Sequence, residues 1–200
     1  SHCFSHCKEK AMQVLKNIFQ VGGDINGITF DVPDALWNDG NSYILKTEGG
    51  LIMFDCGCGD TMEQIFNNMR YWDLQPEDIR YCILTHPHYD HAGGAHILKE
   101  KGVKLVAIGE TADAVASGDE RCCGYLYHKI FTPVTVDQLV KDGEKFTLLG
   151  VEIEVMHLPG HSMGCTAFLF EWTGKKLVIS GDVIGTLLVG DFGWDGSIDF

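Results

Sequence analysis

The chain has 200 residues, 45% of them hydrophobic and 22% charged, which is enough for one well-buried globular core. Its formal net charge of −13 disfavours an extended nucleic-acid surface, which would need a basic stripe. The sequence shows no apolar run near the roughly twenty residues that span a bilayer, and no secretory leader pattern at its start. We therefore expect a small-molecule substrate, with neither nucleic acid nor membrane as a partner, and we leave a homodimer open.

The eight cysteines are placed unlike those of a disulfide framework. Cys82 and Cys165 lie in strand-like runs and are predicted to be small buried hydrophobes. Cys122 and Cys123 are adjacent, which suits an ordinary bridge poorly. A reducing, cytoplasmic location is the favoured interpretation. Residues 1–7 are interpreted as a terminal tail or expression remnant, although their His and Cys residues could alternatively bind a metal.

The first part of the chain is predicted to contain a helix, a hairpin and a second helix. Loops with short strands are expected at 21–40, and a hairpin joins strands at 41–47 and 51–54 through a Gly-Gly turn. Thr61 is a plausible N-cap for a helix that ends near residue 71. A helix is also predicted at 8–20, from apolar residues at helical spacing, namely Met12, Leu15, Ile18 and Phe19.

The rest of the chain alternates predicted strands with loops and short helices. Residues 125–140 show no clear period and receive no assignment. The sequence shows no low-complexity linker, so we predict one domain over residues 1–200. Because hairpins in each half end in a turn bearing His or Asp, the expected architecture is an α/β (α+β) four-layer αββα sandwich. The predicted elements are a strand at 81–85, a helix to 101, a strand at 103–108, a helix at 110–117, a hairpin of 145–149 and 151–158, and strands at 165–172 and 176–180.

Three histidines and an aspartate fall within six residues of the stretch Thr85-His86-Pro87-His88-Tyr89-Asp90-His91. Imidazoles and carboxylates are the ligands that zinc prefers when a site must stay open for water. The cluster follows a predicted buried strand and precedes a predicted helix, where α/β sheets usually carry their chemistry. Pro87 stiffens this loop and restricts His86 to an extended backbone. The stretch therefore predicts a metal site.

Two further ligand candidates follow predicted strands. His161 comes after a Pro-Gly turn, and Asp182 comes after Gly181. Each signal is weak alone, because a His in a turn is usually not a ligand and Gly-Asp usually marks a turn. Both become strong next to the upstream cluster, because metal sites are assembled from several strand ends.

The chain resembles the metallo-β-lactamase-fold hydrolases, which include glyoxalase II-like thioesterases, lactonases, β-lactamases and RNase Z. The resemblance covers most of the chain and is specific for the superfamily, but it indicates little about substrate. The matching pieces are Leu51-Ile52-Met53-Phe54-Asp55-Cys56-Gly57, the stretch from Thr85 to Gly94, Leu158-Pro159-Gly160-His161-Ser162 and Ser180-Gly181-Asp182.

This resemblance implies two metal ions, with zinc expected and iron or manganese as alternatives. It also implies that Asp55 is a buried support for the metal loop, although a turn-forming Asp before a glycine would give the same pattern. The implied ligands are His86, His88 and His161 for the first metal, Asp90 and His91 for the second, and Asp182 bridging both.

The predicted function is a zinc-dependent hydrolase that uses a metal-bridging hydroxide on an ester, thioester, lactone or amide carbonyl. Metal coordination would lower the pKa of water from about 16 to about 7. Asp90 is the predicted catalytic residue, because it would orient the hydroxide and take up a proton. The sequence does not indicate which way Tyr89 faces.

Other functions share this fold. A flavodiiron redox enzyme is disfavoured, because that branch has Glu where this chain has His88. A mononuclear iron sulfur dioxygenase keeps similar histidines and remains open. A metal-dependent phosphodiesterase is disfavoured by the acidic composition, and a non-catalytic zinc-binding domain also remains open.

The resemblance also predicts a missing part. The family normally supplies a last His to the second metal from beyond the Gly-Asp motif, and His96, His128 and His157 lie in the wrong places for it. We therefore expect the domain to be C-terminally incomplete at Phe200, with a further helix, strand and His ligand supplied by additional chain.

Overall fold

The computed structural model describes residues 12–23 and 39–184, which form two β-sheets and four α-helices. In the first sheet the strand order follows the chain, from β1 to β7. The strands of this sheet are β1 (Met12–Leu15), β2 (Ile18–Gly22), β3 (Ser42–Thr47), β4 (Gly50–Phe54), β5 (Ile79–Ile83), β6 (Lys104–Ile108) and β7 (Gln138–Val140). Strands β1 to β4 pair antiparallel, and β4 to β7 pair parallel.

The second sheet is an antiparallel meander in the order β11-β10-β9-β8. Its strands are β8 (Lys145–Leu148), β9 (Val151–His157), β10 (Thr166–Trp172) and β11 (Lys175–Ile179). The helices are α1 (Met62–Tyr71), α2 (Tyr89–Ala92), α3 (Ala95–Glu100) and α4 (Gly109–Ser117). Within these described ranges, no helix is long and apolar enough to cross a membrane.

The first sheet is buried on both faces. One face packs against α1, α3 and α4, and contributes Met53 and Leu105 to that core. The other face packs against the second sheet, where the rings of Phe54 and Phe170 stack with centroids 5.6 Å apart. Successive residues therefore enter opposite cores, as expected for strands with a period of two. The described ranges thus contain a helix layer and two sheets of the predicted sandwich.

The helix predicted at 8–20 is wrong for the described residues 12–20. They form a hairpin of β1 and β2, with Asn17 in a left-handed conformation (φ 64°) at its turn. Ile18 and Phe19 are both buried, but they enter opposite cores. A strand buried on both faces has consecutive apolar residues, which a short window also fits to a helical period. Residues 8–11 lie outside the described ranges.

Most other predicted elements are confirmed. The hairpin of β3 and β4 forms, as does the hairpin of β8 and β9. The predicted helix up to 101 is divided into α2 and α3. Helix α1 begins directly after Thr61, but the Thr61 hydroxyl donates to Asp39 instead of capping the helix. The unassigned segment holds a 3₁₀ turn at Gly124–Tyr127 and strand β7. Both Cys82 and Cys165 are buried, as predicted.

Several predictions concern residues outside the described ranges. These are the tail at 1–7, most of the loop at 21–40, and the chain after Ile184, where the sequence predicts no closing helix and no further His ligand.

Candidate metal centre

The predicted ligands meet at one edge of the two sheets, beyond the carboxyl ends of three strands. The stretch after β5 carries His86 to His91, and helix α2 begins within it. His161 lies in the loop after β9, and Asp182 lies in a 3₁₀ turn (Gly181–Val183) after β11. The two sheets are tied together here, because the Thr166 amide donates to the Thr85 carbonyl at 2.9 Å. Strand ends from both sheets therefore build one site.

His86, His88 and His161 form the first group. Their rings lie edge to face, with centroids 4.6 Å apart for His86 and His88, 4.5 Å for His88 and His161, and 5.0 Å for His86 and His161. One ligand atom from each lies within 4.8 Å of the others, and all three side chains are buried. Three imidazoles gathered in this way can hold one zinc ion and leave a coordination position open.

Asp90, His91 and Asp182 form the second group, with ligand atoms again within 4.8 Å of one another. His91 Nε2 lies 3.1 Å from Asp182 Oδ1 and 3.5 Å from Asp90 Oδ2. The other Asp182 oxygen, Oδ2, lies 3.4 Å from His161 Nε2. The Asp182 carboxylate therefore lies between the two groups, with one oxygen toward each.

Thr85 fixes the tautomer of His86. The Thr85 hydroxyl donates to Asp55 Oδ2 at 2.7 Å, so its oxygen can only accept from His86 Nδ1, which is 3.0 Å away. Nδ1 of His86 therefore carries the proton, and Nε2 presents a lone pair. This Nε2 is buried without a hydrogen-bond partner among the described residues. An orphaned imidazole nitrogen in a buried site is the atom that a metal ion would satisfy.

Asp55 orients His91 in the same way. Its Oδ2 accepts from His91 Nδ1 at 2.7 Å, which leaves His91 Nε2 for the second group. Its Oδ1 accepts from the Thr85 amide at 2.8 Å. Asp55 also lies close enough to His86 and His91 to be counted as a ligand with them. Because both of its oxygens are already used, Asp55 is better suited to positioning two histidines than to binding an ion.

The electrostatics keep His86 and His88 neutral. Burial lowers the pKa of His86 well below its usual value, and the neighbouring His91 and His88 lower it further. Burial, together with His161 and His91, lowers the pKa of His88 to about 3. Neutral imidazole is the form that coordinates a metal, so these side chains need not lose a proton at neutral pH to bind one.

The second group is dominated by its carboxylates. Burial alone would lower the pKa of His91, but Asp182, Asp90 and Asp55 outweigh it and raise that pKa well above the usual value. Burial raises the pKa of Asp90 to about 6. Burial opposes ionisation of Asp182 as well, but His91 holds its pKa far below the ordinary range. Asp90 and Asp182 are partly buried, and their carboxylates, which are paired with His91, form a negative group that a cation would stabilise further.

Sequence reasoning missed two residues that lie beside predicted ligands. Thr85 was assigned to the strand, but its hydroxyl links Asp55 to His86. Tyr127 lies in the unassigned segment, near Asp90. Burial and the nearby Asp90 raise the pKa of Tyr127, so the phenol stays protonated. Tyr89 packs in the helix-covered core, where its ring lies 5.4 Å from that of Tyr127.

A cleft of about 340 Å³ adjoins the centre, and its lining includes Asp55, His91 and Asp182. Its walls are largely apolar, with Leu15 and Tyr43 on the first sheet and residues of β11 on the second. Two members of the second group of ligands, His91 and Asp182, therefore line this cleft.

Comparison with known proteins bears on the fold and the family. A family model described as the metallo-beta-lactamase superfamily matches residues 35–199. A metallo-β-lactamase from Cronobacter sakazakii is similar over 85% of this chain and 63% of its own, with 28% identity and a TM-score of 0.71. GOB-18 from Elizabethkingia meningoseptica is similar over 89% and 64%, with 25% identity and a TM-score of 0.71.

FEZ-1 from Legionella gormanii, at 24% identity and a TM-score of 0.72, shares the fold over 88% of this chain and 64% of its own. The chain thus spans 63–64% of the length of these three structures. The match confirms the predicted α/β fold class.

Proposed function

Since the chain belongs to the metallo-β-lactamase superfamily, we propose that it is part of a zinc-dependent hydrolase that cleaves an ester, thioester, lactone or amide carbonyl. The observation that carries the proposal is the buried meeting of four imidazoles with three carboxylates, in which the oriented Nε2 of His86 has no protein partner among the described residues. Such a donor set suits zinc better than the hard cations, which prefer oxygen ligands alone.

The proposed centre holds two ions. His86, His88 and His161 would bind the first, and Asp90 with His91 would bind the second. Asp182 would bridge them, because its two oxygens face His91 and His161. The ligand roles of these six residues are part of the proposal, and iron or manganese remain alternatives to zinc.

The protein's own residues orient the centre and move protons. Bound zinc would supply a Lewis acid for the carbonyl and a water of lowered pKa. Asp55 and Thr85 hold His86 and His91 in the tautomers that direct Nε2 inward. Asp90 is about one-fifth exposed, so its carboxylate could accept a proton from water at the centre.

The substrate class includes a β-lactam amide, because the similar structures are described as metallo-β-lactamases. We propose a small-molecule substrate and a cytoplasmic location. The six described cysteines are free thiols, which suits a reducing compartment. The net charge of −13 supports the exclusion of nucleic acid as a partner, and a homodimer stays open.

The test of this function combines metal analysis with a substrate screen. Protein purified under mild conditions should contain zinc by elemental analysis, and it should hydrolyse at least one ester, thioester, lactone or β-lactam in a chelator-sensitive manner. His88→Ala should lose most of the metal and the activity. His128→Asn is the matched control, because His128 is exposed and its left-handed backbone (φ 54°) is tolerated by Asn.

Three results would contradict the proposal. Iron in place of zinc would favour the dioxygenase-type alternative, and hydrolysis that survives thorough metal removal would exclude the metal mechanism. A His88→Ala protein with wild-type metal content would overturn the ligand assignment.

A further inference from the structure

The backbone at Gly40 is fixed against the loop that carries the second group of ligands. The Gly40 amide donates to the Asp90 carbonyl at 2.9 Å. The preceding residue, Asp39, is buried, and its Oδ1 accepts from the Cys58 amide at 2.8 Å. The other oxygen of Asp39 accepts from the Thr61 hydroxyl. Gly40 is therefore held from two sides, by the metal loop and by the turn that precedes α1.

The space around Gly40 leaves no room for a side chain. A Cβ on Gly40 would overlap Nε2 and Cε1 of the His91 ring, and would lie 2.6 Å from its Cδ2. The φ of Gly40 is outside the left-handed region, so its backbone conformation is open to other residues. The need for glycine at this position thus comes from the close approach to the imidazole and not from the backbone angles.

The His91 ring is not free to move away from such a side chain. Its Nδ1 is bonded to Asp55 Oδ2 at 2.7 Å, and its centroid lies 4.2 Å from that of the His86 ring. A tilt of the ring would lengthen the bond to Asp55 or press on His86. It would also move Nε2, which lies 3.1 Å from Asp182 Oδ1. Bulk at Gly40 would therefore act on the nitrogen that faces the second group.

We propose that Gly40 is a positioning residue for the second metal ion, because its bare Cα lets the fixed backbone lie against the His91 imidazole and keep Nε2 directed at the ion. This inference rests on the proposed function, since it requires His91 to be a ligand. It assigns a role to a residue that precedes His91 by 51 positions. The competing explanation is that glycine at this position serves only the stability of the fold.

The experiment compares the wild-type chain with Gly40→Ala. Metal-free protein is titrated with Zn²⁺ in competition with a chromophoric chelator, and the two binding steps are resolved. Gly40→Ala should bind the first ion as the wild type does and the second about 10- to 100-fold more weakly, the range usual for groups that orient a ligand. Gly109→Ala is the matched control and should bind both ions normally. The φ of Gly109 is also outside the left-handed region, and a Cβ there would meet nothing within 4 Å.

Two further measurements test the route of the effect. With Co²⁺ in place of zinc, the visible spectrum of the second site should change in Gly40→Ala and that of the first should not. In chelator, Gly40→Ala should lower the melting temperature of the wild type but not that of His91→Ala, where the ring that meets the new methyl group is absent. Asp39→Ala loosens the anchor of Gly40 without adding bulk, so it should also weaken the second ion alone, even if Gly40→Ala does not fold.

The outcomes separate this inference from the proposed function. If the wild type binds two ions and Gly40→Ala binds the second equally well, the inference is overturned and the proposed function stands. Equal weakening of both ions, or an equal loss of melting temperature in the His91→Ala background, would also overturn it, because the effect would then be one of general stability. If Gly40→Ala does not fold, wild-type affinity for the second ion in Asp39→Ala would overturn it. A wild type that binds no second ion would overturn the binuclear centre and this inference with it.

Discussion

The two sheets present their ligands in different ways. The stretch after β5 is fixed at many points: Cys56 donates its amide to the His91 carbonyl at 2.7 Å, and Gly40 donates to the Asp90 carbonyl at 2.9 Å. Beneath it lies Asp55, which is bonded to both Thr85 and His91. Asp182, from the second sheet, is on a short 3₁₀ turn, and its side chain is 35% exposed.

This difference in burial and hydrogen bonding predicts different effects of substitutions on stability and on metal binding. A buried polar network stabilises the fold only when every member is satisfied, so removal of one group leaves the others unpaired. A ligand at a half-exposed position can regain water when it is changed. We therefore expect substitutions beneath the first sheet's loop to affect folding and metal binding together, and substitution of the partly exposed Asp182 to affect metal binding alone.

The largest effect is expected for Asp55→Ala. It removes the partner of a buried imidazole and of the Thr85 hydroxyl, and the loss of one member of a buried ion pair costs about 3–5 kcal/mol. Urea denaturation in the presence of a chelator should show this loss in the free energy of unfolding, and elemental analysis should show loss of both ions. Asp78→Ala, at an exposed ion pair, is the control. Wild-type stability in Asp55→Ala would show that the loop is held by other contacts.

Asp182→Asn should behave in the opposite way. The change keeps the size of the side chain and removes the charge that faces both His91 and His161. Because the site is half-exposed, the free energy of unfolding without metal should change by less than about 1 kcal/mol. Zinc affinity should fall by more than the roughly 10- to 100-fold typical of an outer partner. A large decrease in the free energy of unfolding of Asp182→Asn, measured with chelator present, would contradict the expected difference between the two sheets.

Thr85→Val tests the hydroxyl that links Asp55 to His86. Valine keeps the shape but leaves His86 Nδ1 without its acceptor, so we expect about 10- to 100-fold weaker binding of the first ion. The accompanying loss of stability should be about 1–3 kcal/mol, because a buried donor becomes unsatisfied. Thr85→Ser keeps a hydroxyl at this position. It should therefore retain most of the wild-type affinity for the first ion and most of the wild-type free energy of unfolding. If serine and valine behave alike, the hydroxyl does not orient His86.

The sequence indicated the candidate ligands and the supporting Asp55 more readily than the hydroxyl groups around them. His86, His88 and Asp90 lie close together in one stretch of sequence. Their residue types and spacing are typical of a metal site. Thr85 and Tyr127 carry no such pattern, because a hydroxyl gains a role only from the partner that folding brings to it. Tyr127 lies beside Tyr89 in a turn that is flanked by two left-handed residues, which no periodicity indicates.

The secondary-structure elements also differ in whether local sequence or tertiary packing determines them. The hairpin of β3 and β4 was predicted because its Gly-Gly turn and apolar runs are local signals. The hairpin of β1 and β2 was not, because Ile18 and Phe19 are buried by two different layers that are distant in sequence. Short apolar runs fit a helix and a doubly buried strand equally well, and only the tertiary packing decides between them.

The smallest effect is expected far from the metals, at the edge of the first sheet. Asp137 accepts from the Leu105 amide at 2.8 Å and from Lys99 Nζ, and so ties β7 to β6 and α3. Burial alone would raise the pKa of Asp137, but these two donors outweigh it and lower the pKa below 3.8. The carboxylate therefore contributes stability that is fully present above that ordinary value and is lost as pH falls through the lower, folded-state pKa.

Asp137→Asn should accordingly lower the free energy of unfolding by about 1 kcal/mol at pH 7, the usual net contribution of a hydrogen bond to a charged or polar partner. The difference from wild type, followed by melting temperature in a pH series, should shrink as pH falls below about 4, where the carboxylate of the unfolded wild-type chain begins to protonate. Asp113→Asn should change little at any pH, because its ion pair with Arg121 is 73% exposed on the aspartate side. Zinc binding should be unchanged in both variants. A gap between Asp137→Asn and wild type that widens toward low pH would reverse the sign of this linkage and show that the ion pair with Lys99 does not stabilise the sheet edge.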